Sequence, residues 1–155
     1  MKNFKQGYYQ PKNPHKFKYS TIGLNEKQSK IRLPKYRSSY ELQFFKFCDL
    51  NDIVQEWSSE PFPIKYKHPF KNKICNYYID FLIIINNQKF FIEIKPYSQT
   101  IPPKNPSEYA YMTYKVNEAK WKAAEKYCSV KGWKFVILTE KDLFKTQWFF
   151  IRNSF

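Results

Sequence analysis

Two apolar runs, Tyr77 to Ile85 and Phe90 to Ile94, stand on either side of Asn86-Asn87. Each is as long as a buried strand, and an asparagine pair tolerates the positive φ of a tight turn, so the stretch predicts a β-hairpin. Each run also carries one acid: Asp80 sits between Ile79 and Phe81, and Glu93 between Ile92 and Ile94. A two-residue turn pairs Ile85 with Gln88, and the same register sets Asp80 directly across from Glu93. Opposed side chains lie about 4.5–5.5 Å apart at Cβ, where like charges are destabilising. At an effective dielectric near 20 the repulsion is about 3 kcal/mol.

A cation held by both acids cancels that penalty. Two carboxylates with no His or Cys nearby select a hard ion, Mg²⁺ or Mn²⁺, over zinc. Lys95 lies two residues beyond Glu93 and so shares its strand face. Such a group suits phosphodiester hydrolysis, in which a metal polarises the phosphoryl oxygen and activates water while a lysine orients that water or meets the developing negative charge. The spacing Glu93-Ile94-Lys95 is uninformative by itself, because a lysine-rich chain produces it by chance and Glu118-Ala119-Lys120 is a second instance. The register and the apolar flanks carry the argument. The competing reading is a non-catalytic DNA-binding domain whose acid pair is a strained or protonated core feature.

Ser38-Ser39-Tyr40-Glu41 has capping-box spacing and precedes Leu42, Phe44, Phe45, Phe47 and Cys48, predicting a helix to about Asn51. Glu41 shares a stripe with Phe45 and Cys48, so it leans toward the core; it is either a third metal ligand or the N3 partner of the Ser38 cap. Pro61 to His68 alternates Phe62, Ile64 and Tyr66 with Pro63, Lys65 and Lys67, which predicts a half-exposed strand. Pro96, Pro102, Pro103 and Pro106 keep the stretch after the hairpin a loop. A second helix is expected from about Tyr111, with Val116, Ala119, Ala123, Tyr127 and Val130 at helical spacing, to Gly132 at the C′ position. Trp133 to Leu138 and, peripherally, Gln147 to Arg152 predict further strands. The order helix, three strands, helix, strand describes one α/β domain over residues 38–155.

Residues 1–37 differ: they carry ten Lys/Arg against Glu26 alone, three prolines, and Tyr8, Tyr9, Phe17 and Tyr19 among the lysines. This reads as a basic N-terminal arm that tracks a phosphate backbone or packs down on the domain. Over all 155 residues, 27 Lys+Arg against 13 Asp+Glu give a net charge of +14, and 43% hydrophobic content supplies a folded core. That charge favours an anionic partner, nucleic acid first and an anionic membrane surface second. The cations are 24 Lys and 3 Arg, a balance that points to diffuse backbone electrostatics rather than base readout. On the second helix Trp121 and Tyr127 belong to the core, whereas Lys115, Lys120, Lys122 and Lys126 form its wet face. With Arg37 and Lys104, the first three of these are the candidate DNA contacts.

Several classes drop out. Gly7, Gly23 and Gly132 leave no phosphate loop or dinucleotide fingerprint, so no nucleotide cofactor is expected. No apolar stretch approaches the ~20 residues of a membrane span. His15 and His68 lack partners at ligand spacing and read as surface residues. Cys48, Cys75 and Cys128 are odd in number without C-x-x-C spacing, which predicts free thiols in a reducing cytoplasm.

The Glu41 helix, the Asp80 strand and Glu93-Ile94-Lys95-Pro96 resemble the PD-(D/E)xK nuclease superfamily in its TnsA-like branch. Tyr36-Arg37-Ser38-Ser39-Tyr40-Glu41, Glu56-Trp57-Ser58-Ser59-Glu60, Tyr78-Ile79-Asp80-Phe81 and the stretch Trp121 to Cys128 are similar to blocks of one group within it, the head completion nucleases of T-even-type tailed phages. The resemblance implies an αβββαβ core, with a mixed sheet flanked by helices, and Mg²⁺-dependent cleavage of double-stranded DNA by endo- or exonuclease action. It implies a role in finishing the packaged head for tail joining, in the host cytoplasm or at the virion head or neck, beside portal or neck proteins. By motif, Glu41, Asp80 and Glu93 would be metal ligands and Lys95 the catalytic lysine. No proline precedes Asp80, a relaxation common in the superfamily. Two other functions stay open: a head or neck protein that binds DNA without cutting it, and a transposon-end or junction-resolving endonuclease.

Overall fold

The computed structural model describes residues 6–18 and 33–143. The chain forms β1 (Gly7–Tyr8), β2 (Lys35–Tyr36), α1 (Ser39–Leu50), β3 (Val54–Ser59), β4 (Pro63–Lys67), β5 (Ile74–Tyr78), β6 (Phe81–Ile85), β7 (Gln88–Ile94), α2 (Glu108–Lys131), β8 (Lys134–Leu138) and α3 (Glu140–Leu143). The expected strand Gln147 to Arg152 lies outside the described residues.

The hairpin forms as expected. Asn86 and Asn87 have φ of 55° and 61°, and β6 pairs antiparallel with β7 from Ile85↔Gln88 to Phe81↔Ile92. β3 adds antiparallel on the far side of β6, and β8 adds parallel to β7, giving a mixed sheet of order β3-β6-β7-β8. Parallel neighbours need a long crossover, and α2 supplies it.

Alternation along the strands divides the core. Phe81, Ile83, Phe90 and Ile92 pack with Trp57 against Phe44, Phe45 and Cys48 of α1. On the other face Phe91 packs against Trp121, Ala124 and Cys128 of α2, together with Ile64, Tyr66 and Tyr77. These last three come from a β4–β5 ribbon that is paired with itself and stands apart from the main sheet.

That ribbon corrects two expectations. The run Tyr77 to Ile85 is not one strand: β5 ends at Tyr78, the chain bends at Asp80, and β6 begins at Phe81. The strand expected over Pro61 to His68 is present as β4, yet it pairs with β5 rather than with the core. The first core strand is β3, which local pattern conceals because a register shift between Val54 and Glu56 breaks its alternation and puts Val54 and Trp57, three residues apart, in one core cluster.

The helix ends follow from capping. Ser38 Oγ accepts from the Glu41 N–H at 3.1 Å, and Ser107 Oγ accepts from the Ala110 N–H at 3.2 Å, starting α2 before Tyr111. Gly132 closes α2 at φ 70°, the left-handed region where a side chain is strained. Val130, expected on the buried stripe, is 79% exposed.

Part of the basic segment packs down. Tyr9 Oη and the N–H groups of Lys12 and Asn13 donate to the carboxylate of the fully buried Asp49 at 2.7, 2.8 and 2.9 Å. Lys16 Nζ donates to the Asp49 and Asn51 carbonyls, and Phe17 is buried with its ring 4.6 Å from Trp57. Cys48 and Cys128 are buried free thiols, and Cys75 is half-buried.

Candidate active site

Glu93 lies on β7 between two residues whose side chains face α1, so the strand period turns it with Phe91 toward α2 and the ribbon. It is buried. Tyr77 Oη donates to Glu93 Oε2 at 2.7 Å, and Lys95 Nζ is 3.4 Å from Glu93 Oε1, so the expected face-sharing of Glu93 and Lys95 holds. Burial raises the Glu93 carboxyl above its ordinary pKa, against the opposing pull of Lys95 and the Tyr77 hydroxyl.

Asp80 meets its partner strand differently from a simple cross-strand pair. The ladder stops at Phe81↔Ile92; Asp80 sits in the bend before β6, with its carbonyl accepting from the Glu60 N–H at 2.9 Å. From there Oδ2 accepts from the Ile94 N–H at 2.8 Å, reaching the backbone between Glu93 and Lys95. Asp80 is deep in its cleft although part of its surface meets solvent. Burial, and then the charge of Glu93, push its carboxyl well above the usual range.

Glu41 approaches from the first turn of α1. Its carboxylate accepts from the Arg37 N–H at 2.7 Å rather than from the Ser38 N–H of a standard capping box. It shares a narrow cleft with Arg37, Ser59, Glu60 and Asp80, and burial raises its carboxyl too. The four residues singled out for chemistry are thus gathered where β6 begins and β7 ends. Among the described residues, however, no three His, Cys, Asp or Glu side chains are arranged to hold a metal ion. The donor chemistry nevertheless fits a hard divalent cation: only carboxylate oxygens, the buried Glu93 and the partly exposed Asp80 both with raised pKa. The Arg37 N–H engages one Glu41 oxygen, Oε2.

The candidate DNA contacts separate. Lys120 turns inward: Nζ lies 5.7 Å from the ring centroids of both Tyr66 and Tyr77, and burial followed by the charge of Lys95 lowers its pKa. Lys115 and Lys122 instead pair with Glu118 on the helix surface at 3.4 and 3.6 Å. Lys104 is exposed in the loop before α2, and Arg37 pairs with Glu60 at 3.1 Å. Sequence reasoning missed Tyr77 as a partner of Glu93, since nothing local to Tyr77 signals a contact made by a bend three residues later.

Residues 51–140 match the family model described as TnsA-like endonuclease N terminal. The chain belongs to the TnsA-like endonuclease family. It is also 37% identical over 119 residues to the head completion nuclease of Enterobacteria phage T4, covering 70% of this chain and 79% of that protein. The mixed sheet between helices is the nuclease-like architecture that membership implies. Within this TnsA-like chain the family match takes in Asp80, Glu93, Lys95 and Lys120 and begins after α1, so Glu41 lies outside it.

Proposed function

We propose that this protein is a divalent-metal-dependent deoxyribonuclease acting on double-stranded DNA in tailed-phage head completion. The observation that supports this most is the convergence of the partly exposed Asp80 and Lys95 on the buried Glu93 at one strand end in a TnsA-like chain. Asp80 and Glu93, joined by Glu41, would hold Mg²⁺ or Mn²⁺. A divalent ion bound there polarises a phosphoryl oxygen and lowers the pKa of a bound water. Lys95, held by its own N–H to the Leu138 carbonyl at 3.0 Å, orients the attacking water or meets negative charge developing on the phosphate. Tyr77 and the Ile94 N–H fix the two acids, so they need little reorganisation during the reaction.

The relative from phage T4 supports placing the activity in the host cytoplasm during assembly, or at the virion head or neck, beside portal or neck proteins. The test is incubation with supercoiled and linear plasmid DNA in Mg²⁺ and in EDTA, beside Asp80→Ala. Cleavage that requires both the metal and Asp80 is expected. The second reading is a head or neck protein that binds DNA without cutting it, and the hydrogen bond that turns Glu41 to Arg37 favours it. Binding without cleavage in either Mg²⁺ or Mn²⁺ would select that reading.

A further inference from the structure

The β4–β5 ribbon is an unusual appendage to this sheet. Its inner side chains, Ile64, Tyr66 and Tyr77, are buried against α2. Its outer face presents Lys65, Lys67, Ile74, Asn76 and Tyr78 to solvent, and its tip adds Phe70, Lys71 and Lys73, all exposed. Residues 63–78 hold four lysines and no acid. Exposed apolar groups among unopposed cations are the composition of a surface that meets a polyanion with a stackable or apolar interior.

The tip is ordered by its own bonds. The His68 N–H donates to the Lys73 carbonyl at 2.9 Å, and the Phe70 N–H donates to His68 Nδ1 at 3.1 Å. The ribbon also leads away from the acid pair. Tyr77 binds Glu93; Lys120 lies over Tyr77 and Tyr66; the Tyr66 ring is 6.2 Å from His68, and His68 is 6.3 Å from Phe70. At about 3.4 Å per strand residue, the tip stands roughly 10–15 Å from Tyr77. A two-stranded ribbon is of a size that the ~12 Å major groove admits.

We infer that the ribbon Pro63–Tyr78 is a duplex-gripping arm that lies in the major groove next to the phosphodiester presented to the site, its four lysines on flanking phosphates and Phe70 at the base edges. The inference rests on the proposed DNA-nuclease reading for the identity of the partner. It assigns the ribbon a positioning role, distinct from the surface of α2 where Lys115 and Lys122 are paired with Glu118.

The test compares the full-length wild type with Lys71→Ser/Lys73→Ser and with a charge-matched control, Lys46→Ser/Lys131→Ser. Lys46 lies on α1, across the sheet from the ribbon, and Lys131 at the C-terminal end of α2. Affinity for a short duplex is measured in EDTA across a salt series, with dimethyl sulfate protection of guanine N7 as a major-groove readout and circular dichroism as a check on folding. The ribbon variant should lose about 2 units of salt slope and about tenfold in affinity near 0.1 M salt, and should lose the N7 protection given by the wild type. Wild-type behaviour of the ribbon variant, or an equal loss in the control, overturns the inference while leaving the nuclease reading intact. Ribbon-dependent binding without cleavage in Mg²⁺ upholds the ribbon and overturns the nuclease reading; a wild type that binds no duplex overturns both.

Discussion

The hydroxyl of Tyr77 donates to Oε2 of Glu93 at 2.7 Å inside the protein, tying the ribbon to the acid pair. Tyr77→Phe keeps the ring and removes the donor, leaving a buried carboxylate less well satisfied. Hydrogen bonds to charged groups contribute about 1.5–3 kcal/mol, so the cleavage rate at subsaturating Mg²⁺ should fall about tenfold or more. A Mg²⁺ titration of initial rates checks this, and an unchanged midpoint would reduce Tyr77 to packing.

Asp80 and Glu93 both have raised carboxyl pKa values, from burial and, for Asp80, from the charge of Glu93. A carboxyl whose folded pKa exceeds its unfolded value contributes stability when protonated and loses it as pH rises through the folded value. Metal-free protein should therefore lose stability from mildly acidic toward neutral pH. Asp80→Asn, which keeps an acceptor for the Ile94 N–H, should be the more stable protein in EDTA at neutral pH, by about 1–3 kcal/mol, or about 2–4 °C in Tm per kcal/mol. Calorimetry with and without Mg²⁺ is the measurement, and Mg²⁺ should raise Tm of the wild type alone.

Lys95 is 3.4 Å from Glu93 and on the same strand face. Lys95→Ala should reduce cleavage by about 10²-fold or more while leaving duplex affinity within a few-fold. Complementation of head assembly by this variant distinguishes the two functional readings: rescue points to a structural role, and failure to rescue with protein present points to cleavage.

Asp49 clasps residues 9–13 onto α1. Burial alone would raise its carboxyl, but three donated hydrogen bonds and Lys16 hold it below the ordinary value. Its contribution is therefore present above the ordinary carboxylate pKa and lost as pH falls through the lowered one. Asp49→Ala should destabilise by about 3–5 kcal/mol and open the chain to trypsin at Lys12 and Lys16. Limited proteolysis followed by mass spectrometry reads this out.

Local sequence determined a good deal here. Asn86-Asn87 set the hairpin register, because paired positive φ values and a side-chain period of two leave one pairing that buries both apolar runs. Ser38 and Gly132 marked helix ends because capping is satisfied within a few residues, whereas the Ser107 cap started α2 before the expected Tyr111. The period of two also put Lys95 on the face of Glu93. Tertiary structure decided the rest, since the remaining contacts join segments whose separation no local period encodes. The bend at Asp80 split one apparent strand into the end of the ribbon and the start of β6, which sent Asp80 to the Ile94 N–H and Tyr77 to Glu93. A bulge hid β3. Packing of α2 against the ribbon drew Lys120 in over Tyr66 and Tyr77, while Lys115 and Lys122, seven residues apart and so together on the opposite side of the helix, stayed at the surface with Glu118.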